Sequence, residues 1–164
     1  MGSMLSQLAA QQYPENILSL TLFGYPLTLG FTYAYDVQSA APPKVPTTAK
    51  AAASDFIVPG SISQNAIDEY VRHALKVDPV RADWHYTHQY NALDAAKLSM
   101  PVLLIQGEFD PLAHTDKHAQ VFSKLPNANK QWVVLKDGDH AALLEKSRAK
   151  LIQATSNFMQ WLHM

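Results

Sequence analysis

Residues 100–144 constrain this chain more than any other stretch, because two short apolar runs there each lead straight into a loop bearing a side chain able to do acid–base chemistry. Pro101-Val102-Leu103-Leu104-Ile105 runs into Gly107-Glu108-Phe109-Asp110, and Trp132-Val133-Val134-Leu135 into Gly138-Asp139-His140. The two runs read as strands, over 102–106 and 131–136. Residues 115–125 between them have a helical pattern, and Pro126-Asn127-Ala128-Asn129 makes the turn before the second run. Open α/β sheets present functional side chains in this way, at the carboxyl ends of their strands. An Asp and a His so placed are two of the three parts of a nucleophile–base–orienter system.

The chain has 164 residues, enough for one domain with a core of its own. Its formal net charge is −1, with Lys and Arg spread along the sequence, so no basic patch points to nucleic acid or a membrane surface. Cysteine is absent, which excludes disulfides, thiolate chemistry and Cys-based zinc sites. No apolar run is long enough to span a bilayer, and the opening MGSMLSQLAA lacks the charged and apolar regions of a signal peptide. The default expectation for the compartment is cytoplasmic.

The beginning of the chain supplies one more strand. Residues 4–13 read as a helix with Leu5, Leu8, Ala9 and Gln12 at helical spacing, stopped by Pro14. Residues 17–23 (ILSLTLF) read as a strand apolar at most positions, hence central rather than edge-like, with a neighbour missing beside it. From residue 27 to 98 the character changes: an aromatic-rich start, the proline-rich APPKVPTT, short helices at 50–56, 79–86 and 91–98, and a well-formed helix at 63–77. Ser63 is placed to cap that helix, whose apolar face is Ala66, Ile67, Tyr70, Val71, Ala74 and Leu75. A long helix over 140–163 ends the chain, with Leu143, Leu144, Leu151, Ile152, Phe158 and Trp161 on one face. The expected fold class is α/β: about three parallel strands with flanking helices, the core formed by residues 1–26 and 99–164, and residues 27–98 a helical insertion between the first two strands.

At this point the residues resemble the C-terminal half of an α/β-hydrolase. The carriers are Gly107-Glu108-Phe109-Asp110 as the acid loop, Gly138-Asp139-His140 as the base loop, and Ala9-Ala10-Gln11-Gln12-Tyr13-Pro14-Glu15-Asn16-Ile17 as the helix and turn that follow the nucleophile elbow. The resemblance covers residues 1–23 and about 100–164, and makes 27–98 the variable cap. It implies that Asp110 is the orienting acid and His140 the general base. In the family the elbow reads G-x-S-x-G; walking back from Pro14 puts Gly2 on its last glycine and Met1 directly after the nucleophile. The chain then begins one residue past the catalytic position, a partial α/β-hydrolase fold lacking its nucleophile and inactive alone. Met1-Gly2-Ser3 also reads as a cloning remnant, which leaves the elbow missing all the same.

The remaining residues keep their plainer readings beside these. Asp110 also suits a turn, and His140 a helix start. Glu108 and Asp139 read as solvated loop carboxylates. Ser3 is displaced along the helix start, and Ser54, Ser61 and Ser63 lack a strand–turn–helix context, so none is expected to replace the nucleophile. His114 and His118 lie four apart, and His85 and His88 sit beside Asp83, but each pair needs a further ligand; no metal and no cofactor are expected. Tyr25, Phe31, Tyr33, Tyr35, Trp84 and Tyr86 suit an acyl pocket or ordinary cap packing. The parent function implied by the resemblance is hydrolysis of a small carboxylic ester, thioester or lactone, with dehalogenase, epoxide-hydrolase and C–C hydrolase chemistry open. The alternative is a non-catalytic protein that self-associates through an exposed sheet edge at residues 17–23, as a homodimer.

Overall fold

The structure, a computed structural model, describes residues 1–26, 32–34, 43–82 and 86–162. Three parallel strands form its sheet: β1 (Leu20–Phe23), β2 (Val102–Gly107) and β3 (Lys130–Leu135), in that spatial order. The register sets Leu20 beside Val102 and Phe23 beside Ile105, then Val102 beside Lys130 and Gly107 beside Leu135. All three strands therefore end at the same edge, and the loops that follow them are neighbours. The fold class is the expected α/β one, three parallel strands with flanking helices.

β2 is buried at all six positions because it has a partner on each side and cover on both faces. β1 differs from its expectation. It is four residues long, its positions alternate between buried and half-buried, and Leu18, read as strand, is 91% exposed. Among the described residues β1 pairs only with β2, so its outer edge is uncovered, as expected for an apolar strand with a neighbour missing beside it.

Helices cover the two faces. α1 (Gly2–Gln12) buries Met4, Gln7 and Ala10 against the sheet; of the predicted face, Leu8 is half-buried and packs on the core, while Leu5, Ala9 and Gln12 are exposed. Gln7 tolerates burial because Tyr25 Oη donates to its Oε1 while its own Nε2 donates to Gln11 Oε1. Between β1 and β2 the described residues add no strand to the sheet. They form α2 (Ala49–Ala52) and α3 (Gln64–Val77), with Ser63 Oγ capping the Ala66 N–H as expected. The helix expected at 79–86 is absent where described: Val80 bridges Pro46, with Thr47 N–H donating to Pro79 O and Arg81 N–H to Val45 O. In place of the helix expected at 91–98 stand the ends of two short 3-10 turns, Thr87–Ala92 and Ala95–Lys97, separated by Leu93 and Asp94.

After β2, α4 (Thr115–Lys124) contributes Val121 and, with Leu22, Leu98, Val102 and Leu104, closes one core. α5 (Arg148–Trp161) covers the other face, where Phe158 packs with Leu103, Ile105, Leu135 and Ala142. The long terminal helix expected from residue 140 starts only at Arg148, and Ile152 and Trp161 are exposed. Residues 140–147 form tight turns instead. Asp139 Oδ1 accepts the Ala141 N–H at 2.8 Å, a side-chain bond that competes with helix formation, and Leu144 N–H donates to Ala141 O at 2.7 Å. No helix of the described residues is long and apolar enough to cross a membrane.

Candidate active site

The parallel register brings the loops after β1, β2 and β3 to one point. The acid and base loops are zipped together by backbone bonds: Glu108 N–H to Leu135 O at 3.0 Å and Phe109 N–H to Gly138 O at 2.9 Å. Gly107 makes this approach possible, since a Cβ there would lie 2.6 Å from the Asp139 carbonyl oxygen.

Asp110 and His140 meet across these loops. His140 Nδ1 lies 2.9 Å from Asp110 Oδ2. An ionised carboxylate only accepts, so Nδ1 carries the proton and Nε2 is left as the acceptor. The other Asp110 oxygen, Oδ1, accepts the N–H groups of Leu112 (2.9 Å) and Ala113 (3.3 Å). The Asp110 side chain is fully buried, whereas 26% of the His140 side chain stays open.

Burial alone would raise the Asp110 pKa; the hydrogen bond from His140, the Leu112 and Ala113 N–H groups and the imidazolium charge together outweigh it and hold the carboxyl below its usual range. The His140 pKa is raised, first by the hydrogen bond to Asp110, then by the charges of Asp110 and Asp55, against the opposing effects of burial and the chain's amino terminus.

Gly24, at the end of β1, fits against the pair. It adopts φ +57, and a Cβ would come 2.8 Å from His140 Cε1 and 3.3 Å from Asp110 Oδ2. The Phe23 ring stacks on the imidazole at a centroid distance of 6.4 Å. His140 opens into a cavity of about 460 Å3. Its walls come from four regions: Met1, Gly2 and Ser3 at the start of α1; Phe23 and Gly24 at the end of β1; Asp55, Phe56 and Tyr70 from the inter-strand segment; and Ala141, Leu143 and Leu144 beside His140.

Other predicted residues lie elsewhere. Among the described residues no serine hydroxyl is bonded to His140. Ser3 Oγ donates to Phe23 O at 2.6 Å, Ser54 Oγ to Ala51 O at 2.8 Å and Ser61 Oγ to Glu145 Oε1 at 2.6 Å. His118 is fully buried, with Nε2–H donating to Tyr25 O at 2.8 Å, while His114 is exposed at the start of α4. Burial lowers the His118 pKa and keeps the ring neutral, against the Tyr25 hydrogen bond and the Asp110 charge. Among the described residues no group of three or more His, Asp or Glu side chains is gathered to hold a metal ion. His85 and Asp83 of the other histidine pair lie outside the described residues, as do Phe31, Tyr35 and Trp84. Tyr25 is buried in the core, Tyr33 packs edge-on to Tyr90, and the aromatic lining of the cavity comes from Phe23, Phe56 and Tyr70.

Asp139 corrects the sequence reading. It is fully buried, not solvated, and its Oδ2 accepts the N–H groups of Ile57 (2.6 Å) and Val58 (2.9 Å). Those donors stand more than eighty residues away, and no local signal marks them. Glu108 is exposed, as expected, and accepts the Asp137 N–H at 3.0 Å.

Comparison with known proteins bears on the family and the fold. Residues 1–147 match a family model described as serine aminopeptidase, S33. No curated protein matches the sequence. Among solved structures, a thermophilic esterase superposes with TM-score 0.67 at 20% identity, over 98% of this chain and 63% of its own. A monoacylglycerol lipase from Paleococcus ferrophilus gives TM-score 0.59 at 16% identity, over 98% and 64%. A 2-hydroxy-6-oxo-6-phenylhexa-2,4-dienoate hydrolase from Rhodococcus sp. strain RHA1 gives 0.59 at 16%, over 97% and 61%. The chain thus spans a little under two thirds of the solved structures it resembles. It belongs to the S33 serine aminopeptidase family of α/β-hydrolases.

Proposed function

We propose that this chain supplies the acid–base half of a serine hydrolase acting on carboxylic esters, thioesters or lactones. The observation that carries the reading is the 2.9 Å bond between a buried Asp110 and a partly open His140 on the wall of an apolar-lined cavity. Asp110 orients the ring and stabilises its protonated form; His140 Nε2 removes the proton of an attacking hydroxyl, then returns it to the leaving group. The amino end of α1 borders the same cavity, where its N–H groups and dipole favour negative charge developing on a carbonyl oxygen. Residues 27–98 serve as the cap, since Asp55, Phe56 and Tyr70 form the wall facing the base.

The hydroxyl itself comes from a segment outside these residues. No G-x-S-x-G occurs in the sequence, and the serine nearest the site, Ser3, is bonded to the Phe23 carbonyl. The chain alone is therefore inactive. The test is complementation in trans: a polypeptide carrying the first strands and the G-x-S-x-G turn of an α/β-hydrolase is mixed with this chain and p-nitrophenyl acetate turnover is followed. Turnover is expected only in the mixture, falling on the order of 10^3-fold or more with His140→Ala. Equal turnover with and without His140 would refute the role.

A second reading rests on the outer edge of β1. Leu20 N–H and Gly24 N–H bond to the β2 side, at 2.9 and 3.1 Å, so the peptide groups of Thr21 point outward. Among the described residues no strand covers them, and such an edge favours pairing with a second copy of the chain. Light scattering after size exclusion separates the readings: a stable dimer that gains no activity by complementation favours a non-catalytic role.

A further inference from the structure

Asp139 and Glu145 flank the base loop, and both carboxyl groups are buried. Neither belongs to the Asp110–His140 pair. Asp139 spends one oxygen on the Ile57 and Val58 N–H groups and the other on its own loop, at Ala141. Glu145 Oε1 accepts the Ser61 hydroxyl at 2.6 Å, and the Lys146 N–H donates to Ser61 O at 3.1 Å. The inter-strand segment is thus tied at both ends, 57–58 and 61, to residues 139–146. Directly before the first tie stand Asp55 and Phe56, which form the cavity wall opposite His140.

We propose that Asp139 and Glu145 are positioning residues that clasp the 55–61 segment to the base loop and so set the cavity wall over His140. Glu145 Oε2 is buried and receives no hydrogen bond, so a charge on this carboxyl would be poorly compensated. Burial, and then the nearby charge of Asp139, raise the Glu145 pKa in the same direction, against the Ser61 hydrogen bond. One ionised and one neutral carboxyl can share this space where two anions could not. Three backbone N–H groups donate to Asp139, those of Ile57, Val58 and Ala141.

That the clasp serves a substrate cavity rests on reading His140 as the base; the clasp itself can be tested without turnover. Amide hydrogen exchange and the NMR titration of His140 are measured on the chain, on Asp139→Asn and on Ser61→Ala. In Asp139→Asn the side-chain amide must turn its NH2 toward an N–H donor, and exchange at Ile57 and Val58 is expected to quicken about tenfold or more, with β2 amides unchanged. Ser61→Ala removes no charge; there the Lys146 amide exchanges faster and His140 titrates lower, because Asp55 has moved away from it. Ser61→Thr, which keeps the hydroxyl, restores both. Unchanged exchange at 57, 58 and 146 overturns the clasp. Faster exchange with an unmoved His140 titration in Ser61→Ala overturns its role in setting the wall. If Asp139→Asn loosens β2 as well, the serine pair alone decides.

Discussion

Gly24→Ala tests the packing of the acid–base pair without altering either member. Two costs follow from the geometry. At φ +57 an alanine sits in the left-handed region, at a cost of about 1–2 kcal/mol. Its Cβ would also stand 2.8 Å from His140 Cε1 and 3.0 Å from Nδ1, so the ring must turn away and its 2.9 Å bond to Asp110 is lost. A hydrogen bond to a charged group contributes about 1.5–3 kcal/mol. Together these predict a loss of roughly 2.5–5 kcal/mol at pH near 6, where the ring is substantially charged. Gly60 supplies the control: it has φ +72, and nothing lies within 4 Å of the place a methyl group would take, so Gly60→Ala carries the backbone cost alone. Urea unfolding followed by tryptophan fluorescence gives both stabilities, and the His140 ring protons give its titration by NMR. Gly24→Ala should be the less stable variant by about 1.5–3 kcal/mol, with the His140 pKa moved down toward its ordinary value of about 6.5. Equal losses in the two variants, with His140 titrating as before, would refute the crowding argument.

Further expectations concern pH. The raised His140 pKa contributes stability that is fully present below about pH 6.5 and is lost as pH rises through the folded-state value; the lowered Asp110 pKa contributes stability present above about pH 3.9 and lost as pH falls through its folded value. The pair therefore stabilises most between those limits, and Asp110→Asn should flatten that part of a plot of urea midpoint against pH while returning His140 toward its ordinary titration. His118 works in the opposite sense: a neutral buried ring must be charged on unfolding, so stability falls as pH drops below about 6.5. His118→Phe should make that acid limb shallower, yet lower stability at pH 8 by about 1–3 kcal/mol, because the Tyr25 carbonyl loses its donor.

The parts legible in the sequence were those fixed by local pattern. β2 and β3 stand within a residue or two of the expected runs; β2 is a continuous apolar run because it is covered on both faces, whereas β3 is buried only at Leu135 and its Val134 is exposed. The nearness of Asp110 and His140 follows from parallel register once each is placed after its strand. What the sequence hid depends on distant partners. Gln7 is core because Tyr25 supplies a hydroxyl, and the buried face of α1 leaves Leu5 exposed. Asp139 is buried because backbone donors of residues 57–58 reach it, and residues 140–147 fail to form a helix because that same side chain holds Ala141 in a turn. The apolar run at 17–23 overstates the strand, since apolar residues alone do not mark where pairing begins; Leu18 lies outside β1 and is exposed.

The central claim is that His140, oriented by Asp110, is a working base for a nucleophile that these residues do not contain. The most direct measurement is labelling with a fluorophosphonate ester, read by intact-mass and peptide mass spectrometry, on the chain alone and after addition of a complementing G-x-S-x-G half. The account predicts an unlabelled chain, a label on the elbow serine of the added half in the mixture, and loss of that label with His140→Ala. A label on a serine of this chain alone, abolished by His140→Ala, would contradict it.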